Sequence, residues 1–216
     1  MNRVPPPVVR PYRGISAEQR RADRRRRLLD GGLDVLAEVG VAGLTMTAVC
    51  ARAGLTERYF YESFRDRDGL LRALSDQLAD EVTDAIRGAI ARAPRDLFAV
   101  SRAAILAAVQ LLADDPRKAR AMRETLGTEL VRERQEQLIA LTVDLLSEQI
   151  RALGDPAAID PTRLRLATTV IVAGTLHAVG DWIQADDPAP LDELADEVAR
   201  LCVAAAGTVT SRSRGG

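Results

Sequence analysis

The stretch from Leu44 to Phe64, LTMTAVCARAGLTERYFYESF, constrains the fold more than any other, because it fits two short helices and a tight turn into 21 residues. Thr45 caps a first helix whose apolar positions Ala48, Val49 and Ala53 share a face, and Gly54 takes the left-handed conformation that ends it. Thr56 caps the second helix. Tyr59, Phe60 and Phe64 fall at helical spacings on its inner face, while Glu57, Arg58, Tyr61 and Glu62 stay outside. The spacing predicts a helix-turn-helix, a device for reading DNA.

With 216 residues and 47% apolar content, the chain can bury a substantial core as one large domain or two small ones. Ala, Leu, Arg and Glu dominate, and alternating Val/Ile/Thr runs bounded by turn residues are absent, which predicts an all-α chain. Cys50 and Cys202 are too few and too far apart for a disulfide scaffold or a ligand cluster; they read as small core residues in a reducing compartment. Prolines interrupt the N-terminal MNRVPPPVVRPYRG where an export signal needs an unbroken apolar segment, so a cytoplasmic protein is expected. The longest uncharged run, Leu166 to Gly180, has 15 residues. A membrane span needs about 20, so the run predicts a buried helix and no membrane.

Charge is divided unevenly. Residues 1–72 hold 14 Arg against 9 acids, whereas residues 73–216 hold 16 basic and 22 acidic residues. Arg20, Arg21 and Arg24 to Arg27 concentrate the positive charge just ahead of the helix-turn-helix, where phosphates would lie on bound DNA. A solvated helix face or an arm is the alternative reading of such a run.

Three parts follow along the chain. Residues 1–15, with four prolines, form an Arg/Pro-rich flexible arm; residues 16–66 form the helix-turn-helix head; residues 67–210 form a helical regulatory and dimerisation body. Ser16 and Gln19 make a capping box for a first helix reaching Val39, with Leu28, Leu29, Leu33 and Leu36 as its inward stripe and Gly40 closing it. Asp66 caps a long helix to Arg92. Prolines and glycines then leave five helices near 95–113, 117–126, 128–153, 162–184 and 190–206. Leu191, Leu194, Val198, Leu201 and Ala205 give the last of these a narrow seam, and Ala173, Gly174, Ala178 and Gly180 give its predecessor close-approach positions. These two helices are the candidate homodimer interface; a seam inside one chain would show the same pattern.

The segment Arg27–Leu74 resembles the TetR family of bacterial transcriptional regulators. The likeness rests on the first-helix apolar set, Gly40, Leu44, Thr45, Val49, Ala53, Gly54, Leu55, Thr56, Tyr61, Phe64, Arg67 and Leu70. It implies a homodimer that places two recognition helices in successive major grooves of a near-palindromic double-stranded operator, typically as a repressor released by ligand. By position in the motif, Thr45, Tyr61 and Arg67 resemble phosphate contacts, and Glu57, Arg58 and Tyr59 resemble base readers. Thr47 fits either set, and Thr56 stands with them at the start of the recognition helix. Two positions depart from the family: residue 59, usually small or polar, is Tyr, and residue 63, often His, is Ser. Tyr59 either contacts a thymine methyl at the groove floor or turns inward as packing. Glu62 is expected to pair with Arg58 four residues earlier.

The resemblance also implies a pocket in the body for a lipophilic small molecule, with Phe98, Met122, Leu126, Leu138, Leu145, His177 and Trp182 as candidate lining residues. His177 and Trp182 stand out on a helix short of polar groups, although a satisfied core histidine and a packed indole have the same signature. No cofactor or metal is expected. A single His excludes an HExxH zinc site, and neither a Gly-x-Ser-x-Gly elbow nor a phosphate loop occurs. Asp114-Asp115 and Asp186-Asp187 resemble metal-binding pairs, but each lies near a proline at a helix boundary, where Asp serves in caps and turns. Catalysis is therefore not expected.

Overall fold

The computed structural model describes residues 16–125, 128–155, 158–185 and 188–209, so the 1–15 arm, Leu126 and the Asp186-Asp187 pair lie outside the described residues. Among the described residues the expected all-α architecture holds, with nine helices and no strand: α1 (Ala17–Gly43), α2 (Met46–Ala53), α3 (Glu57–Ser63), α4 (Arg67–Arg92), α5 (Leu97–Asp114), α6 (Pro116–Thr125), α7 (Glu129–Leu153), α8 (Pro161–Gln184) and α9 (Leu191–Val209). The chain divides into two compact units between Leu74 and Ser75, with α4 continuous across the division.

In the head, the Ser16 hydroxyl accepts from the Gln19 amide at 3.0 Å and Gln19 Oε1 accepts from the Ser16 amide at 2.8 Å, which completes the expected capping box. Gly40 leaves helical geometry at φ 71° and ψ −176°, and one further turn leads to Leu44. α1 packs on α2 and α3 around Leu28, Leu36, Leu44, Val49 and Phe60, and Leu70 and Leu71 of α4 complete this buried set. α1 and α2 approach closely at Gly31, where an added Cβ would stand 3.1 Å from the Ala53 amide nitrogen and 3.2 Å from the Val49 carbonyl oxygen.

In the body, α5 packs on α9, α6 and α7, and α8 packs on α7 and α9. Arg102 of α5 ties α9 by pairing with Asp196 at 2.6 Å and with Asp192. The buried hydroxyls of Ser147 and Thr168 bond at 3.1 Å between α7 and α8, and Ile150, Ile159, Leu164 and Val209 form an apolar cluster.

α8 corrects one expectation. Its uncharged run is not buried all round: Leu164, Thr168, Val172 and Val179 face the core, whereas Leu166 and Val170 are 66% and 63% exposed. α9 likewise buries Ala195, Val198, Ala199 and Cys202 within the chain and leaves Leu201 and Val203 exposed. α5 and α8 are long and apolar enough to cross a membrane by length and composition, and both pack within the helical body.

Candidate functional site

The helix-turn-helix is built from local chemistry. Thr45 Oγ1 accepts from the Ala48 amide at 3.2 Å at the start of α2, and Gly54 ends it in the left-handed region at φ 62°, a conformation that a side chain resists. The Leu55 amide then donates to the Cys50 carbonyl at 3.0 Å, closing the turn. Thr56 starts α3 by its extended backbone alone. Its hydroxyl makes no capping hydrogen bond, contrary to the side-chain cap expected, and the residue is exposed.

α3 sorts its residues by face. Phe60 and Phe64 are buried with ring centres 5.6 Å apart, while Glu57, Arg58 and Tyr61 project outward. The Arg58 side chain is 85% exposed. Tyr61 rests edge-on against Phe60 at 5.8 Å, leaving its phenol in solvent. Thr45, Thr47 and Arg67 are exposed as well, and Arg67, the first residue of α4, lies 3.3 Å from Asp68. Asp66 accepts from the Gly69 amide at 2.7 Å and so opens α4 as expected.

Tyr59 packs against α1. It is half-buried beneath the Arg24 guanidinium, whose centre stands 4.5 Å from the ring centroid. Glu62 accepts from Arg24 at 3.3 Å and from Arg58 at 3.4 Å, so the expected pair of Arg58 and Glu62 is present with a third member.

The arginine run has a second role that its charge conceals. Arg27 donates to the Ala53 carbonyl at 2.7 Å and the Gly54 carbonyl at 3.4 Å, satisfying acceptors at the end of α2. Arg25 lies over the Phe64 ring at 4.9 Å, and Arg26 pairs with Asp23. Arg24, Arg25 and Arg27 therefore pin the helix-turn-helix to α1. The signal was present in the sequence: Arg24, Arg27, Leu28 and Gly31 continue one helical stripe.

The body holds a partly open cavity of about 150 Å³, with walls from Val82 and Ile86 of α4, Ser101 of α5, Met122 of α6, Thr175 of α8 and Cys202 of α9. α7 contributes Leu138 and Leu145, so three of the candidate lining residues, Met122, Leu138 and Leu145, meet there. Phe98 does not line it. Trp182 borders a separate hollow with Pro116 and Pro188, and its indole N–H donates to the Ala189 carbonyl at 2.7 Å. His177 is corrected outright: its side chain is 84% exposed and lies 3.6 Å from Asp181 on the outward face of α8. Residues five apart on a helix diverge by about 140°, so His177 and Trp182 cannot face one cavity. Ser101 and Cys202 were missed because single small polar residues carry no periodic signal. Asp115 serves a turn, bonded to Arg117 at 2.8 Å, and Asp114 accepts from Gln110 at 2.7 Å.

Residues 28–74 match the model for bacterial regulatory proteins of the tetR family. The HTH-type transcriptional regulator BetI of Klebsiella pneumoniae (strain 342) is 35% identical over 63 residues, which cover 29% of this chain and only 32% of that relative. Two solved structures share the fold across head and body. The fatty acid degradation regulator FadR from Bacillus halodurans is 20% identical, with 88% of this chain and 97% of that one covered and a TM-score of 0.69. The transcriptional regulator FadR from Bacillus subtilis, solved in complex with stearoyl-CoA, is 19% identical, with 83% and 98% covered and a TM-score of 0.69. The family and these relatives are regulators rather than enzymes. The caps, turn and aromatic core that the matched residues build thus make the head similar to that of the bacterial regulatory proteins of the tetR family, and the chain shares the fold of these solved regulators.

Proposed function

We propose that the chain is a cytoplasmic repressor that binds a near-palindromic operator as a homodimer and releases it when a small lipophilic molecule enters the body. The carrying observation is the outward face of α3, where Glu57, Arg58 and Tyr61 project from a helix whose other side is fixed by Phe60 and Phe64. Arg58 has the reach and donors to read a guanine edge. Tyr61, Thr45 and Arg67 flank it with groups suited to phosphate oxygens, and Thr47, Thr56 and Tyr59 complete the DNA-facing set.

The exposed face of α8, with Leu166, Val170, Ala173 and Gly174, together with Leu201 of α9, supports the homodimer. A two-fold axis through it would have to set the recognition helices about 34 to 36 Å apart, or a multiple. Ligand response is supported by the body cavity and by the residues α4 contributes. Leu70 and Leu74 of that helix pack near Gly32 in the head, and Val82, Ile86 and Ile90 line the cavity. Coupling of this kind is typically about 1 to 3 kcal/mol.

The test is a set of binding isotherms against salt and sequence. Tyr61→Phe and Arg67→Ala are expected to weaken all duplexes alike, whereas Arg58→Ala relaxes preference at particular base pairs by about 1 to 3 kcal/mol. Equal losses at every base position in all three variants would overturn the assignment of roles.

A further inference from the structure

We infer that Glu62 sets base discrimination on α3: its carboxylate, held by Arg24 of α1, keeps Arg58 poised for a base edge and away from the phosphates. This rests on the reading of α3 as the DNA-reading helix and adds a positioning residue to it.

The geometry starts from the carboxylate. Glu62 Oε2 accepts from Arg24 Nη2 at 3.3 Å and Oε1 accepts from Arg58 Nε at 3.4 Å, so each oxygen has its own arginine. The Arg24 side chain is 22% exposed and stacks over the Tyr59 ring at 4.5 Å, which seats its guanidinium between α1 and α3. Side-chain exposure then rises to 33% at Glu62 and 85% at Arg58. Anchoring therefore runs outward from α1, and the base reader is its last and most exposed member.

The choice of nitrogen matters. A guanidinium carries five N–H donors, one on Nε and two on each terminal nitrogen. Glu62 engages Nε, which leaves the four donors of Nη1 and Nη2 at the exposed end of Arg58. A guanine presents two acceptors, O6 and N7, on its major-groove edge, and a fork of two donors matches them. A contact through Nη1 and Nη2 would satisfy both acceptors without breaking the bond to Glu62.

Charge gives the reason to hold this side chain. An unrestrained arginine beside a duplex is drawn to phosphate oxygens, which recur at every step and carry no sequence information. Glu62 offsets the charge of Arg58 and itself repels phosphate, so it lowers affinity for DNA in general. It also fixes rotamers before binding rather than during it, which favours the one register where the fork fits. Stability does not account for the pair, because an exposed ion pair four residues apart on a helix adds little.

The test uses the full chain, an operator selected from random duplexes, its single-base-pair variants and an unrelated duplex, with affinities read by fluorescence anisotropy across salt concentrations. Arg58→Ala marks the base pair that Arg58 reads. At that pair Glu62→Gln, which keeps length and removes charge, should lower discrimination about three- to tenfold, the range of one hydrogen bond. Affinity for the unrelated duplex should rise about fivefold at near-physiological salt, with a salt slope steeper by about one phosphate. Glu62→Asp keeps the charge but shortens the reach, and both bonds are already long; it should lose discrimination at the same pair without the gain on unrelated DNA. In the Arg58→Ala background Glu62→Gln should leave discrimination at that pair unchanged. Thermal melts establish that each variant is folded. The inference is overturned by unchanged discrimination in Glu62→Gln, by equal losses at every base pair, or by the same loss in the Arg58→Ala background. Discrimination that depends on Arg58 but not on Glu62 sinks this inference alone. Base preferences untouched by Arg58→Ala, or no enriched operator, sink the reading of α3 and this inference with it.

Discussion

The Arg24 guanidinium lies 4.5 Å from the centroid of the Tyr59 ring and 3.3 Å from Glu62, so one side chain of α1 grips α3 at two positions. The recognition helix is thereby oriented from its polar side as well as through Phe60 and Phe64. Because Glu62 also receives Arg58 at 3.4 Å, the side chain best placed to read a base shares a carboxylate with the one that anchors the helix.

This contact predicts a measurable coupling. Arg24→Ala, Tyr59→Ala and the double variant, compared by urea unfolding, should give an interaction energy of about 1 kcal/mol for a partly desolvated cation over a ring. Additive losses would show that the stacking does not hold the helix.

Gly31→Ala sets two effects against each other. Alanine gains about 1 kcal/mol in helix propensity, but its Cβ would lie 3.1 and 3.2 Å from backbone atoms of Ala53 and Val49, which cannot rotate away. Overpacking of this kind typically costs about 1 to 3 kcal/mol, so the variant should melt several degrees lower. A higher melting temperature would contradict the close approach of α1 and α2.

The outward face of α8 should control oligomeric state. Leu166→Glu with Val170→Glu changes two exposed positions, so the helices should remain folded by circular dichroism while sedimentation shifts from dimer to monomer. Affinity for a two-half-site duplex should fall with it. A wild-type chain that sediments as a monomer would remove the interface from the account.

Asp115 gives a pH signature. Hydrogen bonds from the Arg117 side chain and backbone, against the opposing effect of burial, hold its carboxyl below the usual range. A carboxyl with a depressed folded pKa contributes stability that is present above its unfolded value and lost as pH falls through the folded one. Asp115→Asn should therefore destabilise the chain at neutral pH by less than about 1 kcal/mol, with the gap to wild type closing as pH falls below the ordinary carboxylate range. A gap that stays constant in acid would assign the effect to packing.

The caps at Ser16 and Thr45 and the turn at Gly54 were legible because each depends on residues within about one helical turn of one another. What a residue does across the fold was less legible. Arg24 and Arg27 read as phosphate-facing charge, yet their partners Tyr59 and Ala53 are distant in sequence, and charge alone does not distinguish solvent from a ring or a carbonyl. Apolar stripes on α8 and α9 were visible. Which stripe the chain covers itself, that of Val198 and Cys202, and which it leaves open, that of Leu166 and Leu201, depends on packing that periodicity does not encode. His177 was misplaced by attention to its chemistry without its angle on the helix.

Sequence-specific binding by a two-fold dimer is best checked by selecting duplexes from a random DNA library at near-physiological salt. An inverted repeat should be enriched whose half-sites lie about one helical turn apart, or a multiple, with affinity falling steeply as salt rises. Enrichment of no sequence by the full chain, in the absence of any added ligand, would contradict it.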